Sequence, residues 1–228
     1  MGDRHNAPRL VIFDAFNTLV RPKAGFENTF TAALVGLGVE VSAAVMNLLQ
    51  SASEGLDHRQ WSTSRDDYAR WTAKTLTSNA PDLLAASASH EIPALEQWHQ
   101  APMEQFPDVA SCLRSLRSNG ITVAVCSNWG WDLADDLARA GLSELVDVVI
   151  SSAQAGYRKP NKNIYRTVLE VAGISAGDAI FVGDNVEADV RGPQRAGIRS
   201  VLLDRAGVSA HGYTVVSSLS KLAPYVRL

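Results

Sequence analysis

The chain has 228 residues, 46% of them apolar and 20% charged, with 24 acidic against 21 basic side chains and a formal net charge of −3. Its apolar content suffices for a sizeable core, and its length suits one α/β core carrying a smaller inserted domain. Charge is nearly balanced and no block of one sign stands out, so nothing electrostatic favours a nucleic-acid or membrane-surface role.

The stretch MGDRHNAPRL has no apolar signal core, and no segment approaches the roughly 20 apolar residues of a membrane helix. A cytoplasmic protein with neither nucleic acid nor membrane as partner is expected. Nothing in the residues indicates an oligomeric state. Cys112 and Cys126 sit in apolar-periodic segments without metal-ligand spacing. They are expected as reduced core thiols.

In chain order, short apolar runs span Leu10 to Phe13, Ile121 to Cys126, Val146 to Ile150, Ala179 to Val182 and Ser200 to Leu203. Such runs suit strands buried on both faces, as in a parallel sheet. Helical stripes lie between the last four: Val109, Cys112, Leu113, Leu116; then Leu133, Leu137, Ala138; then Ile164, Val168, Val171, Ala172. Strand alternating with helix predicts a Rossmann-like, doubly wound α/β fold.

The interval between the first two runs breaks this rhythm. From about residue 22 to about 105 there is no convincing strand, and helical patterns such as Phe30, Ala33, Leu34, Leu37 take over. A crossover needs far fewer residues. The chain is therefore expected to divide into a core, 1–21 and 106–228, and an α-helical cap domain, 22–105. Trp61, Tyr68, Trp71 and Trp98 are expected as the cap's own small core.

Open parallel sheets bind ligands beyond the carboxyl ends of their strands. The first run ends at Asp14 and the second at Ser127 and Asn128. The third leads to Lys159, and the fourth ends at Gly183 and Asp184, with Asp189 following. Gly183 is read as serving a backbone turn. Carboxylates, a hydroxyl and an amine converging on one edge suit phosphoryl transfer. Asp14 can attack phosphorus. Because carboxylate and phosphate repel, a cation must sit between them, and Asp14 with Asp184 can hold Mg²⁺. Ser127 and Lys159 can hold the remaining phosphate oxygens.

Four segments make the pattern specific: LVIFDAFNTLV, VAVCSNWGWD, GYRKPNKNIY and IFVGDNVEADVRGPQRAG. In this order they resemble the four motifs of the haloacid dehalogenase-like hydrolases that carry a helical cap. The resemblance covers about 8–21 and 106–205. It implies that Asp14 is nucleophile and metal ligand, and that Phe16 offers its carbonyl to the metal. Thr18 would brace the nucleophile loop, with Phe16, Thr18 and Asn128 forming the substrate-binding group. Ser127 would bind the transferring phosphoryl group. Lys159 would neutralise Asp14 and phosphate, Asp184 would bind Mg²⁺, and Asp189 would be a further ligand through water or would orient Lys159.

One position departs from that pattern. Phosphatases of the family usually carry a second Asp two residues after the nucleophile, as proton donor and acceptor; here it is Phe16. Losing such a group typically costs about 10²–10⁴ in rate. Three readings follow. The first is Mg²⁺-dependent hydrolysis of a small phosphorylated metabolite through an aspartyl-phosphate, with a good leaving group or an acid from the cap (Glu27, His58, His90 or His99). The second is a 2-haloacid dehalogenase, whose halide needs no proton, although the intact GDNVEAD argues for a cation site. The third is a phospho-ligand-binding or partner-binding protein with weak turnover. A milder departure is Pro160-Asn161-Lys162, where Asn161 can still cap the following helix.

Overall fold

The computed structural model describes residues 7–23, Asp66, 102–207 and 212–227. The expected cap helices, their aromatic core and the acid candidates Glu27, His58, His90 and His99 lie outside the described residues.

Six strands form one parallel sheet: β1 (Leu10–Phe13), β4 (Thr122–Ser127), β5 (Val148–Ser151), β6 (Ala179–Gly183), β7 (Arg199–Leu203) and β8 (Val215–Val216). Their order is β5-β4-β1-β6-β7-β8. Strands alternate their side chains between faces, and two cores result. Val11, Phe13, Val123, Val125, Ile180 and Val182 enter one. Leu10, Ile12, Ala124, Cys126, Ala179 and Phe181 enter the other. Helices α1 (Val109–Ser118) and α2 (Leu133–Arg139) cover the first face; the short α3 (Ser152–Ala155) follows β5, and α4 (Lys162–Ala172) covers the second face. The central strand β1 is consequently fully buried over all four residues. Burying each such side chain contributes about 1.5–3 kcal/mol. Both cysteines are free and buried, and burial pushes each thiol up to about 12.

The predicted stripes need two corrections. On α2, Ala138 faces solvent and Asp136 is buried in its place. On α4, Val171 is 60% exposed, while Tyr165 packs beside Ile164 and Val168.

The two ends of the interval read as strandless pair with each other. Strand β2 (Val20–Pro22) runs antiparallel to β3 (Met103–Gln105), with Arg21 opposite Glu104. Their side chains form an ion pair at 2.9 Å. The two ends of that interval are thus hydrogen-bonded side by side, with position 21/22 inside β2 and 105/106 at the end of β3. No described helix is long and apolar enough to cross a membrane.

Chain direction places the site. From β1 the chain moves outward to β4 and β5, then crosses to the other side of β1 for β6, β7 and β8. Loops leaving β1 and β6 therefore diverge, opening a crevice where ligands bind in such sheets. The register sets Phe13 beside Val182, and the Asp14 amide donates to the Val182 carbonyl at 2.9 Å. Asp14 and the Gly183-Asp184 pair consequently emerge next to each other.

Candidate active site

Asp14, Ser127, Lys159 and Asp189 are buried together. Ser127, at the end of β4, donates from Oγ to Asp14 Oδ1 at 2.9 Å. Lys159 Nζ donates to the same oxygen at 2.7 Å and to Asp189 Oδ1 at 2.6 Å. Burial alone would depress this ammonium, but the charges of Asp14 and Asp189 outweigh it and hold Lys159 above the usual lysine range. It is a fixed cation at any physiological pH.

Lys159 is itself held by its peptide. Its amide donates to Asn128 Oδ1 at 2.7 Å, and Asn128 Nδ2 returns a bond to the Lys159 carbonyl at 3.0 Å. The Lys159-Pro160 bond is cis. Asn128 was expected beside the substrate. Both ends of its carboxamide bond the Lys159 backbone. Downstream, Asn161 caps α4 as expected, accepting from the Asn163 amide at 3.0 Å.

Asp189 sits on a π-helical turn, Val186–Arg191, a form concentrated at functional sites. Asn185 starts that turn by accepting from the Glu187 and Ala188 amides at 3.0 and 2.9 Å. The Asn185 amide in turn donates to Asp189 Oδ2 at 3.0 Å. A Cβ on Gly183 would fall inside the Asp189 carboxyl group. Gly183 is therefore required for space. Its backbone does not enter the left-handed region, which corrects the turn reading.

Asp184 keeps an exposed face, yet the protein packed around it, and next the charge of Asp14, raise its carboxyl above the usual range. Asp14, Asp184 and Asp189 each offer an oxygen, all within 4.8 Å of one another. Three carboxylates against one ammonium leave unbalanced negative charge, and oxygen donors are the chemistry of a hard divalent cation. The donor set fits Mg²⁺.

Past Asp14 the loop turns through Asn17, whose φ is 57°, a conformation Asn tolerates. Thr18 was grouped with the substrate contacts. It is fully buried, and its Oγ1 has no hydrogen-bond partner among the described residues. It supports the loop from beneath through its carbonyl, which accepts from Arg205 Nη2 at 2.9 Å. Arg205 also makes two bonds to Asp108, at 2.9 and 3.0 Å, and stacks on the Phe106 ring at 4.0 Å.

Phe16 is 42% exposed. Its ring meets Trp129 with centroids 6.3 Å apart and planes tilted by 51°. Trp129 Nε1 donates to Asp136 Oδ2 at 2.9 Å, and Arg139 pairs with Asp136 Oδ1. Trp129, Asp136 and Arg205 were not singled out from sequence. One signal was available: Asp136 stands three residues after Leu133, on the buried stripe of α2, where a carboxylate needs a specific partner.

The haloacid dehalogenase-like hydrolase profile matches residues 8–197. The chain belongs to this family of hydrolases. Haloacid dehalogenase-like hydrolase domain-containing protein 3 of Homo sapiens is 28% identical over 213 residues, 86% of this chain and 81% of the relative. The phosphoserine phosphatase of Thermus thermophilus is 35% identical over 101 residues, so the match spans only 41% of that protein. Solved structures share the haloacid dehalogenase fold. A phosphatase from Thermococcus onnurineus superposes with a TM-score of 0.70 at 21% identity, covering 96% of this chain and 97% of its own. A 2-haloacid dehalogenase from Pseudomonas syringae gives 0.66 at 24%, covering 96% and 98%. Phosphatases and dehalogenases are therefore matched about equally well by the fold, and the side chains must separate them.

Proposed function

We propose that this hydrolase removes a phosphoryl group from a small phosphorylated molecule, with Asp14 as nucleophile and Mg²⁺ as cofactor. The observation that carries the reading is the trio of carboxylates, Asp14, Asp184 and Asp189, gathered around the single ammonium of Lys159. Relatives named as phosphatases, including the phosphoserine phosphatase, support it. A halide-releasing enzyme has no use for so much negative charge, because neither its substrate nor its leaving group bridges to a cation.

The metal would be held by Asp14 and Asp184 with the Phe16 carbonyl, and would supply the positive charge that lets a carboxylate approach a phosphate. Both oxygens of Asp189 already accept protein hydrogen bonds. Its part is to hold Lys159 against Asp14, the second of the two roles expected for it. Lys159 and Ser127 share Asp14 Oδ1, which fixes the carboxylate's rotation and leaves Oδ2 to attack. As the aspartyl-phosphate forms, both donors can turn to the phosphoryl oxygens, where charge develops.

Phe16 cannot protonate a leaving oxygen. Among the described residues no side chain takes over that role beside Asp14, which favours a substrate whose leaving group departs as a stable anion over one that draws its acid from the cap. The test is phosphate release from acyl, aryl and alkyl phosphates, with Mg²⁺ and with chelator, beside Asp14→Asn. Release that needs both Mg²⁺ and Asp14 supports the proposal. Chelator-insensitive halide release from 2-haloacids overturns it, as does tight ligand binding without turnover.

A further inference from the structure

Resting on the reading of a phosphatase without a leaving-group acid, we infer that its substrates are aryl phosphates, whose aromatic leaving group is received by the ring pair Phe16 and Trp129. The inference comes from what occupies the space two residues past the nucleophile. A proton donor there is replaced by a ring, 42% exposed, inclined against a second ring. Both are on loops at the carboxyl ends of central strands, Phe16 after β1 and Trp129 after β4.

Trp129 is fixed at both ends. Its amide and carbonyl bond the Ser152 hydroxyl, each at 3.2 Å, and the carbonyl also accepts from the Ala153 amide at 3.2 Å. Its indole N–H is held by Asp136, a carboxylate only 3% exposed and paired with Arg139. Burying a carboxylate on the apolar stripe of α2 is costly, and here that carboxylate sets the tilt of one ring beside the site. A rigid aromatic surface binds a planar apolar group at little entropic cost. Asp136 is thus a positioning residue for substrate selection.

The chemistry balances without an acid. One Asp14 oxygen forms a bond to phosphorus while the bond from phosphorus to the aryl oxygen breaks. The bonding pair leaves on that oxygen as a phenolate, which takes a proton from water after release. Water then attacks phosphorus and breaks the bond to Asp14, its proton passing to the departing phosphate. An ordinary, weakly acidic alcohol could not leave this way as its alkoxide, whereas phenolate spreads its charge into the ring that the aromatic pair receives.

The experiment compares phenyl phosphate with a fluoroalkyl phosphate whose alcohol has matched acidity, in full-length protein with Mg²⁺. The aryl ester is expected to react with the higher kcat/KM, the difference residing in KM. Trp129→Ala should lower kcat/KM for the aryl ester by up to about tenfold and for the fluoroalkyl ester by clearly less. Asp136→Asn, which keeps an acceptor for the indole, should restore most of what Asp136→Leu loses. Equal rates for the two esters, or equal losses from both in Trp129→Ala, overturn the aryl assignment while leaving phosphatase chemistry standing. No phosphate release from either ester, nor from acyl phosphates, fails the underlying reading instead. Phe16→Asp should flatten the dependence on leaving-group acidity, and a dependence already flat in the parent overturns the inference too.

Discussion

Around Asp14 the site is built from charge: Ser127 and Lys159 donate to Asp14, and Lys159 also to Asp189, in bonds of 2.6 to 2.9 Å nearly shut off from solvent. Two residues along the same loop, Phe16 presents a partly exposed ring to Trp129. The first region stores electrostatic preorganisation, which is lost as a unit when one partner goes. The second offers shape and apolar surface, so its losses should be small, graded and dependent on the substrate. On the proposed reading, one loop serves attack at one end and selection at the other.

The sharpest way to break that comparison is to remove charge at the attack end. Asp14→Asn should abolish phosphate release by on the order of 10⁴-fold or more, measured in single turnover. Lys159→Met leaves Asp14 and Asp189 buried without their counter-charge. It should destabilise the fold by about 3–5 kcal/mol in urea titrations with chelator present, and less with Mg²⁺ present. An unchanged midpoint would mean that the two buried carboxylates do not depend on Lys159 for their charge balance. Gly183→Ala pushes a methyl group into the Asp189 carboxyl and should cost about 1–3 kcal/mol, with the activity loss exceeding the stability loss.

A smaller effect sharpens the support beneath the loop. Burial would raise the Asp108 carboxyl, but bonds from Arg205, Ser218 and the Leu219 amide together outweigh it and hold the group below its usual value of 3.8. A depressed folded value means that the group stabilises the fold above pH 3.8, and that this stability is lost as pH falls through the folded value. Arg205→Met should therefore be less stable than the parent at neutral pH, with the gap closing in the acid range. A gap constant with pH would assign the role of Arg205 to its stacking on Phe106 and its bond to the Thr18 carbonyl. Smallest of all, Cys112 and Cys126, with thiols held near 12 by burial, should resist a thiol reagent at pH 8 until urea unfolds the protein.

Much of this was legible in the residues. Leu10 to Phe13 was found to the residue, and the later runs within two. β8 escaped because two residues carry no period, and β2 and β3 because three-residue strands are stabilised by each other rather than by their own pattern. Ala138 and Asp136 exchanged places because periodicity counts apolar residues and cannot see that a buried indole N–H will partner a carboxylate. Asn128 and Thr18 were grouped with substrate because both stand in motif segments. Which way a carboxamide or hydroxyl turns depends on a peptide elsewhere in the chain.

By itself the sequence determined the strands and the chemistry at their carboxyl ends, since a strand buried on both faces must be apolar throughout and must stop where a polar group is needed. Only the tertiary structure decided the division of labour among those groups. The pairing of β1 with β6 put Asp184 beside Asp14. The π-helical turn gave Asp189 to Lys159, and the buried carboxylate on α2 set the ring facing Phe16. The contacts of Asp14 with Asp184, Lys159 with Asp189 and Phe16 with Trp129 join segments distant along the chain, and a pattern of neighbours in sequence holds no information about them.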